Sequence, residues 1–401
     1  MSRSGFERFR QPGPWLWLAL ALGAGLRLYF ALFTDGTFDV LIKLHHGTQI
    51  RELGLLEYYR QTELMNHPPL AGGYFAACAW LAQVTGVAFA IWFRLPFALL
   101  DLATAALMLL AFRGSPWRWA VFAACWLNPL AALFSGYHGN TDPSVPFFLL
   151  LSLIGVARGN PWTAGAALGL GLWVKIPVLV AAPALCLALP GWRERGAFVA
   201  AALGTGVLGF LPWLIQEPAL LVERIAGYGG SPVITQAGVA IWGIAHTLRL
   251  GAAGVASFEA ANAFLVWVPI LALAWLRRGR GEALEAGITV CGSFLLLYGT
   301  SSFWAWQYLA WSIPFWLFLG WRFTAAATLV LTAYVYGVYA LFTGSPVLQG
   351  HWDFVAHAPW PAVLTLLRDA SLLLCLGMGA ILLVRAAKAE LDLRRRGPEV
   401  A

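Results

Sequence analysis

Charge is scarce in this sequence. Only 11% of its 401 residues are Asp, Glu, Lys or Arg, whereas a soluble domain carries about 25%. Hydrophobic residues make up 60% of the chain, in repeated apolar runs that are mostly near the length needed to cross ~30 Å of hydrocarbon. The alternating segments of roughly ten residues that build a membrane β-barrel are absent. We therefore expect an all-α polytopic membrane protein.

Cysteine is also rare, and acidic residues are fewer than basic ones. The five cysteines sit in apolar stretches without metal-type spacing, so we interpret them as small core residues rather than a disulfide framework or a zinc site. The net charge of +7 is compatible with an anionic polymer as partner. Most basic residues fall in predicted cytoplasmic loops, however, which favours contact with membrane lipids and no nucleic acid.

No small-x-small cleavage site follows the first apolar run, 14–33, so we expect a retained span with the N-terminus inside. The arginines in "GWRERG" and "LRRGRG" then lie inside, and this bias predicts about twelve spans with both termini cytoplasmic. The predicted spans are 14–33, 95–112, 119–135, 145–158, 163–175, 176–190, 197–215, 258–276, 284–300, 303–320, 323–342 and 361–384.

The segment His67 to Gly86 is apolar enough to be mistaken for a span, but counting it as one would place the later arginine-rich loops outside. We interpret it as an interfacial helix that begins near Pro68 and Pro69. A single domain, 1–401, results. Its parts are the first span 14–33, an outer catalytic loop 34–94 with interfacial helices, spans two to seven over 95–215, an outer loop 216–257, spans eight to twelve over 258–384, and a cytoplasmic tail 385–401.

Asp35 and Asp39 follow the first span at once. Four residues apart, they share one face if this turn is helical. A lipid-facing span end usually carries Trp, Tyr, Lys or Arg anchors, so an acidic pair there is either an ordinary solvated loop or a site.

A second polar cluster is "FSGYHGNTDPSVPFF", Phe134 to Phe148, which contains His138, Asn140 and Asp142. Asp142 before a proline also suits the cap of the following helix, and Asn140 suits a turn. The pattern leaves turn chemistry and a binding site as alternatives that do not exclude each other.

Three further features lie near span ends. His67 stands in "MNHPPL", at the entry of the interfacial helix, and Lys175 joins two short apolar runs, where it either snorkels or binds a phosphate. The segment "FWAWQYLAWSIPF", Phe303 to Phe315, is either an aromatic belt or part of a site. Within the membrane, Asp101 needs a partner, for which Arg94 or Arg368 are candidates.

Four of the five clusters fall on one membrane face under one topology. Unrelated loop residues are not expected to collect in this way. A secondary transporter is also disfavoured, because its site should lie at the midplane between broken helices.

The order of these motifs resembles the GT-C superfamily of polytopic glycosyltransferases, which take a sugar from a polyprenyl-phosphate lipid. The acidic loop after the first span, "HPPL", "GNTDP" and "WQYLAW" carry the resemblance, over roughly residues 14–320. The sequence departs from the family in having Asp-x-x-x-Asp in the first loop and a single acid in the second motif. We also expect no large soluble C-terminal domain of the kind that oligosaccharyltransferases carry, which disfavours protein N-glycosylation.

The resemblance implies a GT-C-type fold and an inverting transfer of mannose or another hexose to a lipid or glycan acceptor. The reaction would occur on the extracytoplasmic side of the cell (inner) membrane. Asp39 would be the general base, because it begins the amphipathic segment "FDVLIKLHHGTQI", with Asp35 in reserve. The remaining roles fall to Asp142, His138 and Asn140 at the acceptor, to Lys175, Arg94 and His67 at the donor phosphate, and to Gln307, Tyr308 and Trp306 at the donor lipid and sugar.

A divalent cation, Mg or Mn, is an optional cofactor in this interpretation, with Asp142 and His138 as candidate ligands. Two other functions stay open. The first is a lipid flippase or solute transporter. It would be supported by polar groups at mid-depth in the membrane, for which the candidates are Asp101, Arg368 and Asp369. The second is another enzyme, such as a polymerase or ligase of surface glycans.

Overall fold

A computed structural model describes residues 11–227, 243–302, 305–353 and 360–395. This part of the chain is all-α. Its α-helices are α1 (Pro14–Phe33), α2 (Phe38–Leu53), α3 (Leu55–Gln61), α4 (Pro69–Thr85), α5 (Phe89–Ala111), α6 (Arg118–Trp126), α7 (Pro129–Ala132), α8 (Ser144–Ala157), α9 (Pro161–Leu172), α10 (Ala182–Ala188), α11 (Trp192–Gln216), α12 (Pro218–Ala226), α13 (Ile244–Thr247), α14 (Ala252–Ala260), α15 (Asn262–Leu276), α16 (Ala283–Thr300), α17 (Trp321–Thr343) and α18 (Ala362–Arg395).

Six of these helices, α1, α5, α11, α16, α17 and α18, are long and apolar enough to cross a membrane. Two bent pairs raise the number to eight if each pair is one span: α6 with Pro129–His138, bent by 42°, and α14 with α15, bent by 52°. The chain is thus a multi-pass helical membrane protein, as predicted. The count of twelve spans, the GT-C-type fold and the domain boundaries stay predictions.

The local structure differs from the prediction where proline interrupts apolar runs. The predicted span 303–320 is not one regular α-helix in its described part, but two 3₁₀ segments, Trp306–Trp311 and Ile313–Leu319. Pro314 lies in the first turn of the second segment, where it cannot donate a backbone hydrogen bond. The predicted span 176–190 likewise forms a 3₁₀ segment, Ile176–Ala181, followed by the short helix α10.

The loop after the first span is largely helical. A helix is present where the interfacial helix is predicted: α4 begins at Pro69 and ends at Thr85, followed by Gly86 in the left-handed conformation. Its position at the membrane interface stays a prediction. Helices α2 to α4 pack on α5 through a small apolar core that includes Tyr59, Phe75 and Phe93. Side chains of α11 and α12 close this core from the other side. Residues 228–242 of the predicted outer loop lie outside the described residues.

A buried ion pair between Arg27 and Asp101 joins helices α1, α5 and α6. Arg27 Nε and Nη2 donate to Asp101 Oδ2 at 3.0 and 2.9 Å, and Arg27 Nη1 donates to the Trp126 carbonyl at 2.8 Å. The expectation that Arg94 or Arg368 pairs with Asp101 is therefore wrong. Arg27, inside the first span, supplies the charge instead.

Candidate functional site

The chain turns sharply between α1 and α2, and Arg94 holds this turn. Its guanidinium donates to the carbonyls of Ala31 and Thr34 at 3.1 and 2.7 Å, and to the Tyr137 carbonyl at 3.2 Å. The Ala90 carbonyl and Thr34 Oγ1 take the remaining donors, at 3.0 and 3.2 Å. A guanidinium has five N–H groups, so Arg94 is fully occupied: three of its bonds cap the end of α1, and the other two go to the Tyr137 and Ala90 carbonyls. This geometry does not support its predicted role at a phosphate.

A second turn faces the first. The helix that begins at α7 continues as a π-helical segment, Leu133–His138, and ends at Gly139 with a φ of +80°. A Cβ at Gly139 would lie 2.3 Å from Val40 Cγ2, so only glycine fits. Thr37 Oγ1 donates to the His138 carbonyl at 2.7 Å, and this bond ties the two turns together.

Asp39 lies where these turns meet. Asn140 Nδ2 donates to Asp39 Oδ2 at 2.9 Å, and His138 Nε2 lies 3.3 Å from the same oxygen, an ion-pair distance. Among the described residues, Oδ1 has no hydrogen-bond partner. The side chain keeps 26% exposure, whereas His138 and Asn140 are buried, so Asp39 is the group that a substrate reaches.

The surroundings of Asp39 keep its carboxyl ionised. Burial alone would raise the pKa of Asp39. Together, the hydrogen bond and charge of His138 and the charges of Lys43 and Lys175 outweigh burial, so the pKa of Asp39 lies well below its usual value.

Asp142 occupies the floor of the site. Its side chain is fully buried, and Trp311 Nε1 donates to Oδ1 at 2.6 Å. Lys175 Nζ lies 3.4 Å from Oδ1 and 3.5 Å from Oδ2, and it also reaches Asn140 Oδ1 at 3.4 Å. The structure thus brings Asp39, Asn140, Asp142 and Lys175 into one hydrogen-bonded group.

Lys43 is a charged residue of this group that the sequence interpretation missed. It follows Asp39 by one helical turn on α2 and is 5% exposed. Its Nζ lies 2.7 Å from His67 Nε2. Burial lowers the pKa of Lys43 to about 8, with Asp39 opposing this shift and Lys175 adding to it. The sequence signal that could have identified Lys43 is its spacing of four residues from Asp39, which places both side chains on one face of a helix.

His67 is buried behind Lys43 and serves as its acceptor. Burial first, and then the charges of Lys43 and Lys175, hold the pKa of His67 well below its usual value. The imidazole is therefore neutral, and the Lys43 ammonium donates to it. The Tyr59 hydroxyl donates to the His67 carbonyl and so fixes the "HPP" turn. His67 orients Lys43 in this arrangement and makes no direct contact with Asp39.

Asp35 lies apart from this group. Its side chain is 64% exposed, and Oδ2 faces His351 Nδ1 at 3.2 Å. Among the described residues, the ion-pair partner of Asp35 is the fully exposed His351, so the geometry favours Asp39 as the base.

The segment "WQYLAW" lines the site with aromatic rings. The Tyr308 and Trp311 rings stack at 4.3 Å, and Trp306 lies 6.3 Å from Tyr339. Trp311 rather than Tyr308 contacts Asp142. Tyr339, on α17, lies 2.7 Å by its hydroxyl from His138 Nδ1, and no motif in the sequence pointed to it.

The donor set does not fit a divalent cation. Both oxygens of Asp142 face Lys175, and one also accepts from Trp311. His138 uses its ring nitrogens toward Tyr339 and Asp39. Within the described ranges, no group of three or more His, Cys, Asp or Glu side chains is arranged for a metal ion. The two ammonium groups lie where a cation would otherwise balance the carboxylates.

In comparison with known proteins, no family model matches the chain, and no curated protein matches it.

Proposed function

We propose that this protein is a membrane glycosyltransferase of the GT-C type, which moves a hexose from a polyprenyl-phosphate carrier to a hydroxyl of a lipid or glycan acceptor. The arrangement of Asp39 carries the proposal: one carboxylate oxygen is fixed by Asn140 and His138, and the other, near two lysines, has no hydrogen-bond partner in the described part of the chain. This is the arrangement that a general base opposite an anionic leaving group requires.

In this reaction the acceptor oxygen attacks the anomeric carbon from the face opposite the phosphate, with inversion. The acceptor proton moves to Asp39 Oδ1. The bond between the anomeric carbon and the phosphate oxygen breaks, and its electron pair stays on the phosphate. Lys43 and Lys175 stabilise the charge that develops there.

The low pKa of Asp39 makes the free carboxylate a weak base, and donor binding corrects this. A donor phosphate partly neutralises Lys43 and Lys175, whose charges otherwise lower the pKa of Asp39. Asp39 therefore becomes more basic when the donor is bound, so base catalysis is coupled to the presence of the sugar carrier.

Position on the extracytoplasmic side of the cell membrane is part of the proposal. The arginine distribution of the sequence and the clustering of the polar turns at one end of the bundle support it.

The test uses purified protein with radiolabelled polyprenyl-phosphate mannose, glucose and arabinose against extracted envelope lipids. Asp39→Asn keeps the shape but removes the base, and general-base catalysis contributes about 10²–10⁴-fold, so transfer should fall by that factor. Asp35→Asn is the matched control, and its transfer should stay near wild type. Full turnover by Asp39→Asn with unchanged melting behaviour would exclude Asp39 as the base.

A further inference from the structure

An apolar groove opens between α1 and α6, away from the candidate site. Its volume is about 530 Å³, within the range of about 300–1,000 Å³ that ligand sites occupy. The side chains that line it are all hydrophobic, among them Leu18, Leu22 and Ala124. The groove follows the first two turns of α1, whereas Asp39 comes after the end of this 20-residue helix, about 30 Å from its start.

The groove has the depth of one lipid leaflet. On α6 its lining extends from Trp117 to Leu127, which corresponds to about 15 Å at the rise of an α-helix. The hydrocarbon core of a bilayer is ~30 Å thick. The groove therefore matches the length of one of the two acyl layers.

The three helices that border the groove run in the same direction. Trp126 Nε1 donates to the Leu20 carbonyl at 3.2 Å, and Asn128 Nδ2 donates to Thr328 Oγ1 at 3.1 Å, so later turns of α6 lie beside later turns of α1 and α17. The starts of the helices meet at one end of the groove, its mouth. Three tryptophans of the lining lie there: Trp15, Trp117 and Trp321. Tryptophan is enriched where a membrane meets water, so the mouth suits the level of lipid headgroups.

The mouth carries positive charge. Arg118 and Arg322 directly follow two of its tryptophans, and both are exposed. Neither forms an ion pair within the described ranges. The first turns of α1, α6 and α17 contain no acidic residue. A ligand with an apolar chain and a negative group at one end complements this arrangement.

We infer that the groove binds one anionic phospholipid of the surrounding bilayer, with an acyl chain along α1 and α6 and its phosphate beside Arg118 and Arg322. The predicted topology places the mouth in the cytoplasmic leaflet, where anionic lipids attract basic residues. The polyprenyl carrier is a different occupant, because the proposed reaction uses its phosphate at the opposite end of α1. The inference itself does not depend on that reaction, since the groove shares no residue with the candidate site.

The test measures lipid binding to the full chain in detergent by native mass spectrometry, with dioleoyl phosphatidylglycerol and dioleoyl phosphatidylcholine as probes. Wild-type protein should bind one phosphatidylglycerol on the order of tenfold more tightly than phosphatidylcholine. Arg118→Gln and Arg322→Gln should each raise the Kd for phosphatidylglycerol about fivefold and leave the Kd for phosphatidylcholine unchanged. Both positions are exposed, so these variants should fold.

Arg193→Gln is the matched control. Arg193 is an exposed arginine that also follows a tryptophan at the start of a long helix, α11, but Trp192 does not line the groove. Its Kd for phosphatidylglycerol should equal that of wild type. Ala120→Phe tests the groove directly, because Ala120 is half-buried in the lining and a phenyl ring there would fill the space of the acyl chain. It should abolish retention of phosphatidylglycerol and the rise in Tm that this lipid gives wild type.

Three results would overturn the site. The first is a Kd for phosphatidylglycerol that neither Arg118→Gln nor Arg322→Gln changes, or that Arg193→Gln raises equally. The second is tighter binding of polyprenyl phosphate than of phosphatidylglycerol, lost in Ala120→Phe, which would assign the groove to the carrier. The third is a wild-type dimer that Ala120→Phe converts to a monomer, which would identify a second copy of the chain as the occupant.

Discussion

In the proposed reaction, binding of the donor phosphate depends on the positive charge of Lys43. Because its pKa is about 8, Lys43 is protonated below that pH and neutral above it. The KM for the donor should therefore rise as the pH passes through about 8. In Lys43→Arg the charge persists at all pH values, and this rise should disappear.

Lys43→Met should raise the donor KM below a pH of about 8, by about tenfold or more if a charge-assisted bond to phosphate is lost, and its KM should approach that of wild type above that pH. Arg51→Met is the matched control, an exposed cation on the same helix, and its KM should match wild type. Equal pH profiles for wild type and Lys43→Arg would remove Lys43 from the donor site.

Metal removal gives another test at the residue scale. Because Asp142 is occupied by Lys175 and Trp311, we expect EDTA to leave turnover unchanged. A loss of turnover that added Mg or Mn restores would contradict this and return Asp142 to the role of metal ligand.

Single residues were predictable from the sequence where they stood in a polar cluster. Asp39, His138, Asn140, Asp142 and Lys175 do come together, and their turns were visible as interruptions of apolar runs. Which residue contacts which depends on helix packing and was not visible. Tyr339 lies 201 positions from His138 along the chain, inside an apolar helix that reads as lipid-facing sequence.

At the scale of elements, the two tied turns decide the geometry of the site. Gly139→Ala should cost about 1–2 kcal/mol for the left-handed backbone. The contact of its Cβ with Val40 at 2.3 Å should add to that cost and displace His138 and Asn140. We expect a lower Tm and a reduced kcat.

Gly159→Ala is the matched control for Gly139→Ala. Gly159 has a φ of +67°, but a Cβ there would meet nothing within 4 Å. It should therefore lower the Tm by backbone strain alone and leave kcat unchanged. The double variant Gly139→Ala with Val40→Ala should recover part of the kcat, and no recovery would show that the clash is not the cause.

Long elements were predictable and irregular ones were not. The first span, 14–33, coincides with α1, and "HPPLAGGYFAACAWLAQVTG" contains α4, because apolar runs and proline starts are direct signals. The π-helical end at His138 and the 3₁₀ segment Trp306–Trp311 have no comparable signal. The hydrogen bonds of these two segments are set by contacts with neighbouring parts of the fold. Both segments lie at the candidate site.

At the scale of the whole molecule, the Arg27–Asp101 pair joins α1, α5 and α6. Arg27→Met leaves a buried carboxylate without its partner, which should cost about 3–5 kcal/mol. The double variant with Asp101→Leu should recover most of that loss in thermal melts of purified protein. Additive losses in the double variant would show that the two charges do not stabilise each other.

The proposed orientation of the molecule is testable with single cysteines. His45 and Arg193 are exposed, and the predicted topology puts them on opposite sides of the membrane. In intact cells a membrane-impermeant maleimide should label His45→Cys and spare Arg193→Cys until the cells are opened. The native cysteines supply a low background, because all are buried or half-buried. The reverse pattern would invert the topology and move the site to the cytoplasm.

The pairing of Lys43 and Lys175 also has a consequence for turnover. A donor phosphodiester carries one negative charge, but the spent carrier is a phosphate monoester with about −1.5 to −2 at pH 7. Two ammonium groups in a buried setting bind the more highly charged species more strongly. The reaction would therefore end with the product held more tightly than the substrate was. Release of the empty lipid carrier, rather than sugar transfer, would then be the rate-limiting step. Free polyprenyl phosphate would act as a competitive inhibitor.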